Sequence, residues 1–102
     1  MQTIIADNLP ALHALCRQYD VRRLDLFGSA ASTAFDTKTS DLDFLVEFRD
    51  FTLDNGADRF LGLLVDLEDL FGRKIDLVSA TAIRNPFFRQ VLDMTKVSLY
   101  AA

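Results

Sequence analysis

Hydrophobic and polar positions alternate along this 102-residue chain in two rhythms. From Asn8 to Tyr19 the side chains Leu9, Leu12, Cys16 and Tyr19 recur every three or four residues, the spacing of an amphipathic helix. Asp7, Asn8 and Pro10 mark its start, and Asp20 its end. Residues 21–27 switch to a period of two, with Leu24 and Leu26 on one face and Arg23 and Asp25 on the other, as a strand requires. Gly28-Ser29 breaks that strand; residues 30–35 are expected to form a short helix and 36–40 a polar loop. Residues 41–48 alternate again, with Leu42, Phe44, Val46 and Phe48 opposite Asp41, Asp43 and Glu47. After a loop over 50–58 with an Asn55-Gly56 turn signal, Phe60, Leu64, Leu67 and Phe71 predict a second long helix stopped by Gly72. Residues 74–78 predict a third strand. Asn85-Pro86 opens a last helix carrying Phe87, Phe88, Val91 and Leu92, and 97–100 a short closing strand. This order predicts an α/β (α+β) fold, a small sheet with helices packed against it, in one domain spanning 1–102.

Composition narrows the setting. Half the residues are hydrophobic and a quarter charged, which excludes a disordered chain. No apolar run approaches the roughly 20 residues of a membrane span, and the start lacks a basic stretch followed by an apolar block, so neither a membrane nor a secretory route is expected. The single cysteine, Cys16, has no internal partner, which suits a reducing cytoplasm. With 11 basic against 15 acidic side chains, the chain lacks the electrostatic footprint of a nucleic-acid binder. Of those 15 acids, 13 are Asp. Short carboxylates suit helix caps and turns, and they are also preferred ligands of hard cations.

Asp41, Asp43 and Asp76 do not fit the first explanation, because they fall in expected strands, where Asp is depleted. Residues two apart on a strand share a face about 6.5 to 7 Å apart, so Asp41 and Asp43 can lean onto one cation. Without a cation they repel, and one tends to take up a proton. Mg²⁺ characteristically takes one or two carboxylates plus phosphate oxygens. Asp76 completes a trio if its strand neighbours theirs. The plainer reading is a solvated strand face; Asp25, with Arg23 on its own face, illustrates it as an ordinary ion pair. Context shifts the balance. Gly28-Ser29 directly follows a strand and precedes an expected helix start, where a tight turn and free N–H groups suit phosphate.

The run LFGSAASTAFDTKTSDLDFLVEF, with the later KIDLVSA, resembles the nucleotidyltransferase superfamily with the DNA polymerase β-type palm. More closely, it resembles the minimal nucleotidyltransferases, the MNT-domain antitoxins that accompany HEPN-domain toxins. The resemblance implies Mg²⁺-dependent transfer of AMP from ATP to a hydroxyl, a tyrosine's in the reported activity, of a partner HEPN toxin. By that resemblance Gly28 and Ser29 hold the triphosphate. Asp41 and Asp43 bind Mg²⁺, while Asp76 shares a second ion and helps deprotonate the attacking hydroxyl. A cytoplasmic hetero-oligomer with the toxin follows. The chain departs from the family's Gly-Ser-x-Ala-Arg-Gly pattern: Ser32 and Thr33 stand where Arg and Gly are expected. An alternative from another class is therefore a binding module of the same fold, catalytically weak or inactive, that neutralises a toxin by contact.

Other conspicuous residues have plain explanations. His13 reads as a surface or half-buried helix histidine, Cys16 as core, and Arg73 and Lys74 as a solvated helix end. Asp54, Asn55, Gly56 and Asp58 lack the alternating acids of a calcium loop. With 9 Phe in so short a chain, some apolar surface is expected to remain for a partner, at Phe51, Phe87 or Phe88.

Overall fold

The computed structural model describes residues 3–31, 41–52 and 54–102. Two helices, α1 (Thr3–Ala6) and α2 (Leu9–Gln18), lead into strand β1 (Val21–Phe27), which ends in a 3₁₀ turn at Gly28–Ala31. Strand β2 (Leu42–Phe48), helix α3 (Gly56–Phe71) and strand β3 (Ile75–Ser79) follow. A second 3₁₀ turn (Ala80–Ala82), helix α4 (Pro86–Thr95) and strand β4 (Val97–Ala101) close the chain. The expected helix over 30–35 is replaced at its start by the 3₁₀ turn, and its remainder, with Ser32 and Thr33, lies outside the described residues.

The strands form one mixed sheet in the order β3-β2-β1-β4. β1 is antiparallel to both β2 and β4, and β2 and β3 are parallel, joined through α3 as a parallel pair requires. The alternation seen in the sequence sets the faces. Leu24, Leu26, Leu42, Phe44, Val46, Ile75 and Leu77 enter a core closed by Ile5 of α1, Leu12 and Cys16 of α2, and Leu63, Leu67 and Phe71 of α3. Phe44 and Phe71 stack at 5.8 Å between centroids. The burial of Ile5 explains why Thr3–Ala6 is helical although no periodicity announces it.

The opposite face departs from the simple polar expectation. Leu45 is buried there with Ala80 and Leu92, packed by Phe27, Val78 and Ile83, because α4 lies against that face. Only Leu92 of α4 is buried; Phe87, Phe88 and Val91 are exposed, so the last helix is anchored by one side chain rather than by the four expected. Among the described residues no helix is long and apolar enough to cross a membrane.

Candidate active site

Two strand starts bring two carboxylates together. In the parallel β2–β3 pair, Leu42 lies opposite Ile75, Asp43 opposite Asp76, and Phe44 opposite Leu77. The pleat sends the flanking apolar pairs into the core, so Asp43 and Asp76 emerge side by side on the other face, on strands about 4.8 Å apart. Asp41 lies outside the strand. The ladder begins at Leu42, so Asp41 occupies the exposed residue just before it rather than an interior strand position. The three still share an electrostatic neighbourhood. Asp43 titrates above the usual carboxylate range, first because it is partly buried, then through the charges of Asp76 and Asp41 and a hydrogen bond to Asp76.

The third side of the cluster is Gly28. β1 runs antiparallel to β2 and ends at Phe27, the register partner of Asp43, so the turn after it returns beside that carboxylate. Gly28 has φ 70°, and a Cβ there would stand 2.2 Å from Asp43 Oδ2. Both the backbone and the space demand glycine. Ser29 follows in the same Gly28–Ala31 turn.

The residues suit a hard divalent cation. A crowded carboxylate pair with one member pushed toward protonation is the arrangement a cation relieves. Among the described residues no group of three or more His, Cys, Asp or Glu side chains is gathered closely enough to hold a metal ion, so the expected trio is met here only by the Asp43–Asp76 pair, with Asp41 apart. An open carboxylate pair matches Mg²⁺, which leaves coordination positions for phosphate oxygens and water.

The remaining candidates are structural. His13 Nε2 donates to the Leu99 carbonyl at 2.8 Å, tying α2 to β4. Cys16 is buried in the core, and burial pushes its thiol up to about 12. Asp25, read as an ordinary ion pair with Arg23, is only 3% exposed. Arg23 approaches at 3.9 Å, and Lys96 of the α4–β4 junction, which the sequence reading missed, at 3.6 Å. Arg73 is half-buried and Lys74 exposed beyond α3.

Arg59 was also missed. It donates to the carbonyls of Tyr19 (3.0 Å), Asp20 (2.7 Å) and Asp50 (3.4 Å) and lies over the Phe48 ring. A depression of about 300 Å³ around Arg59 and an apolar one of about 370 Å³ between Phe51 and Phe60 lie toward the far end of β2 from Asp43. Neither gathers groups suited to catalysis; Arg59 is already occupied by backbone.

Comparison with known proteins bears on the fold and the family. A protein of Methanocaldococcus jannaschii that carries the name protein adenylyltransferase is 39% identical over 79 residues, 78% of this chain and 76% of its own. The crystal structure of a toxin–antitoxin with AMP-PNP superposes with a TM-score of 0.72 over 93% of this chain and 74% of the other, at 24% identity. The structure of tri-AMPylated Shewanella oneidensis HEPN toxin in complex with MNT antitoxin gives 0.65 over 96% and 73%, at 23% identity. At those identities the two structures speak for the fold. The profile of the nucleotidyltransferase domain covers residues 11–98, from within α2 to within β4, and so includes Gly28, Asp43 and Asp76; the chain belongs to the nucleotidyltransferase domain family.

Proposed function

We propose that this chain transfers AMP from ATP to a hydroxyl, a tyrosine hydroxyl, on a partner HEPN toxin, and so acts as the antitoxin of the pair. The observation that carries the reading is the register opposition of Asp43 and Asp76, with Gly28 closed against Asp43. The name of the M. jannaschii relative supports adenylyl transfer to protein, and the AMP-PNP-bound relative supports ATP as donor. The AMPylated HEPN toxin held by an MNT antitoxin supports the acceptor. On this reading the single domain works in the cytoplasm, in a hetero-oligomer with the toxin.

Asp41, Asp43 and Asp76 would hold Mg²⁺, two ions in the full arrangement. When bound, Mg²⁺ supplies positive charge to the attacking and leaving oxygens of an in-line displacement. The protein's own groups do the rest. The turn at Gly28 and Ser29 receives the triphosphate, because a glycine backbone without a Cβ permits close approach and offers N–H donors. Asp76, exposed at its strand start, accepts the proton of the acceptor hydroxyl. The hydroxyl oxygen then bonds to the α-phosphorus, the bond from that phosphorus to the bridging oxygen breaks, and pyrophosphate leaves. Positioning and charge supply the catalysis, with no covalent enzyme intermediate.

The test is incubation with a HEPN-domain protein from the same genome and ATP labelled at either the α- or the γ-phosphate. Label retained on the toxin from the α-position alone is the expected result. Label from the γ-position would identify phosphorylation instead. Neutralisation of the toxin with no label at all would favour the contact module.

A further inference from the structure

The two edges of the sheet are finished differently. β4, the edge beside β1, is closed to further pairing. Its register with β1 shifts between Leu24 and Asp25, and the carbonyl of Leu99, left between the paired Ser98 and Tyr100, accepts from His13 of α2 at 2.8 Å. Such irregularity and such cover are ways in which natural sheets blunt an edge. β3, the opposite edge, has neither. Ile75–Ser79 runs in unbroken register with residues 42–46 of β2, and among the described residues it pairs with β2 alone. Ile75 and Val78 are strong strand formers, and the segment holds no proline and no lysine. In a parallel ladder every second residue of an edge strand turns its N–H and C=O away from the partner, so the outer side of β3 presents backbone groups ready to pair. Its one charge, Asp76, belongs to the carboxylate pair.

The chemistry of a strand edge selects its occupant: another extended backbone, which supplies main-chain hydrogen bonds while its side chains alternate between the two faces. Position identifies whose backbone it is. Asp76 lies on the edge strand itself and is exposed on the reactive face. A segment paired with β3 therefore sets one side chain on that face directly beside Asp76, about 4.5–5.5 Å away between Cβ atoms. That is where the acceptor hydroxyl stands if Asp76 is to take its proton. The residues on either side of it point to the other face, beside Ile75 and Leu77 at the rim of the core. A second copy pairing through its own β3 would bring two carboxylate pairs together and bury both sites. Five residues of strand from each copy also fall short of the roughly 800 Å² per partner of a stable interface. A few main-chain bonds suit a substrate segment that must leave after transfer.

We infer that the outer edge of β3 binds an extended segment of the acceptor protein as an added strand, with the hydroxyl-bearing residue beside Asp76 and an apolar residue on either side of it. This rests on the reading of the site as an AMP transferase acting on a protein. The test follows amide hydrogen exchange by NMR in the full chain, alone and with a HEPN-domain protein of the same genome plus AMP-PNP and Mg²⁺. In the free protein, alternate amides of Ile75–Ser79 exchange fast, the others being held by β2. Binding is expected to slow the fast set at least tenfold, with β4 amides unchanged and with intermolecular NOEs from the β3 amides to acceptor backbone protons. A HEPN protein that is bound and modified while those amides stay fast overturns the added strand and leaves the transferase reading standing. Amides already slow in the free protein show the edge occupied, by a second copy if the protection grows with concentration, and overturn it as well. A wild type that neither binds nor modifies a HEPN protein overturns the partner reading and the added strand with it.

Discussion

Gly28 and Asp43 are built as a pair: the position a Cβ would take at Gly28 lies 2.2 Å from Asp43 Oδ2. The turn after β1 therefore fixes where the carboxylate stands, and the carboxylate fixes which residue the turn accepts.

Gly28→Ala meets two penalties. At φ 70° a Cβ costs about 1–2 kcal/mol, and the added methyl also displaces Asp43. Gly72→Ala provides the comparison, because φ there is 62° with nothing within 4 Å of the added Cβ. Both variants are expected to lose about 1–2 kcal/mol in denaturant titration, Gly28→Ala the more. Only Gly28→Ala should lose nucleotidyl transfer. Equal activity in the two would separate Gly28 from the site.

The raised titration of Asp43 has a definite sign. Its folded pKa lies above the unfolded value, so the proton it holds stabilises the fold fully below about 3.9, the ordinary Asp value. That contribution fades as pH rises through the folded pKa. At neutral pH the ionised cluster is a liability that a cation offsets. Asp43→Asn should therefore raise Tm at pH 7 in chelator. Mg²⁺ should raise the Tm of the wild type, and less so that of the variant. An Asp43→Asn protein less stable than wild type in chelator would contradict the crowding.

Arg59 fastens two corners at once. Asp20 and Asp50 are the two non-glycine residues with positive φ among those described, at 54° and 48°, and the carbonyls of both accept from its guanidinium. Asp20 closes the α2–β1 connection and Asp50 lies at the start of the β2–α3 connection. Arg59→Ala should cost about 1–3 kcal/mol by thermal or chemical unfolding. Lysine should recover little of it, since one ammonium cannot reach several carbonyls as a planar fork does. Nucleotide binding at the opposite end of β2 should be retained.

Much of the sheet was legible because its side chains obey a period of two with one dry face. Leu42, Phe44, Val46, Leu24 and Leu26 announced both the strands and their orientation. The Asp43–Asp76 adjacency was not legible from local pattern, since it depends on the parallel register that α3 sets between distant segments; the family resemblance supplied it. Leu45 sits among polar neighbours in β2 yet is buried, because α4 covers it. Phe87 and Val91 look like core in the sequence yet are exposed, because α4 meets the sheet face through Leu92 alone. Lys96 and Arg59 reach partners far along the chain, which no short window reveals.

The central claim is that Asp43 and Asp76 together perform nucleotidyl transfer. The most direct measurement is the rate of AMP transfer from α-labelled ATP to the HEPN acceptor by Asp43→Asn and Asp76→Asn, with the exposed Asp69→Asn of α3 as control. The account predicts a fall of at least on the order of 100-fold in each site variant, the scale for losing one group that stabilises transition-state charge, and an unchanged rate in the control. Wild-type transfer by either site variant would contradict it.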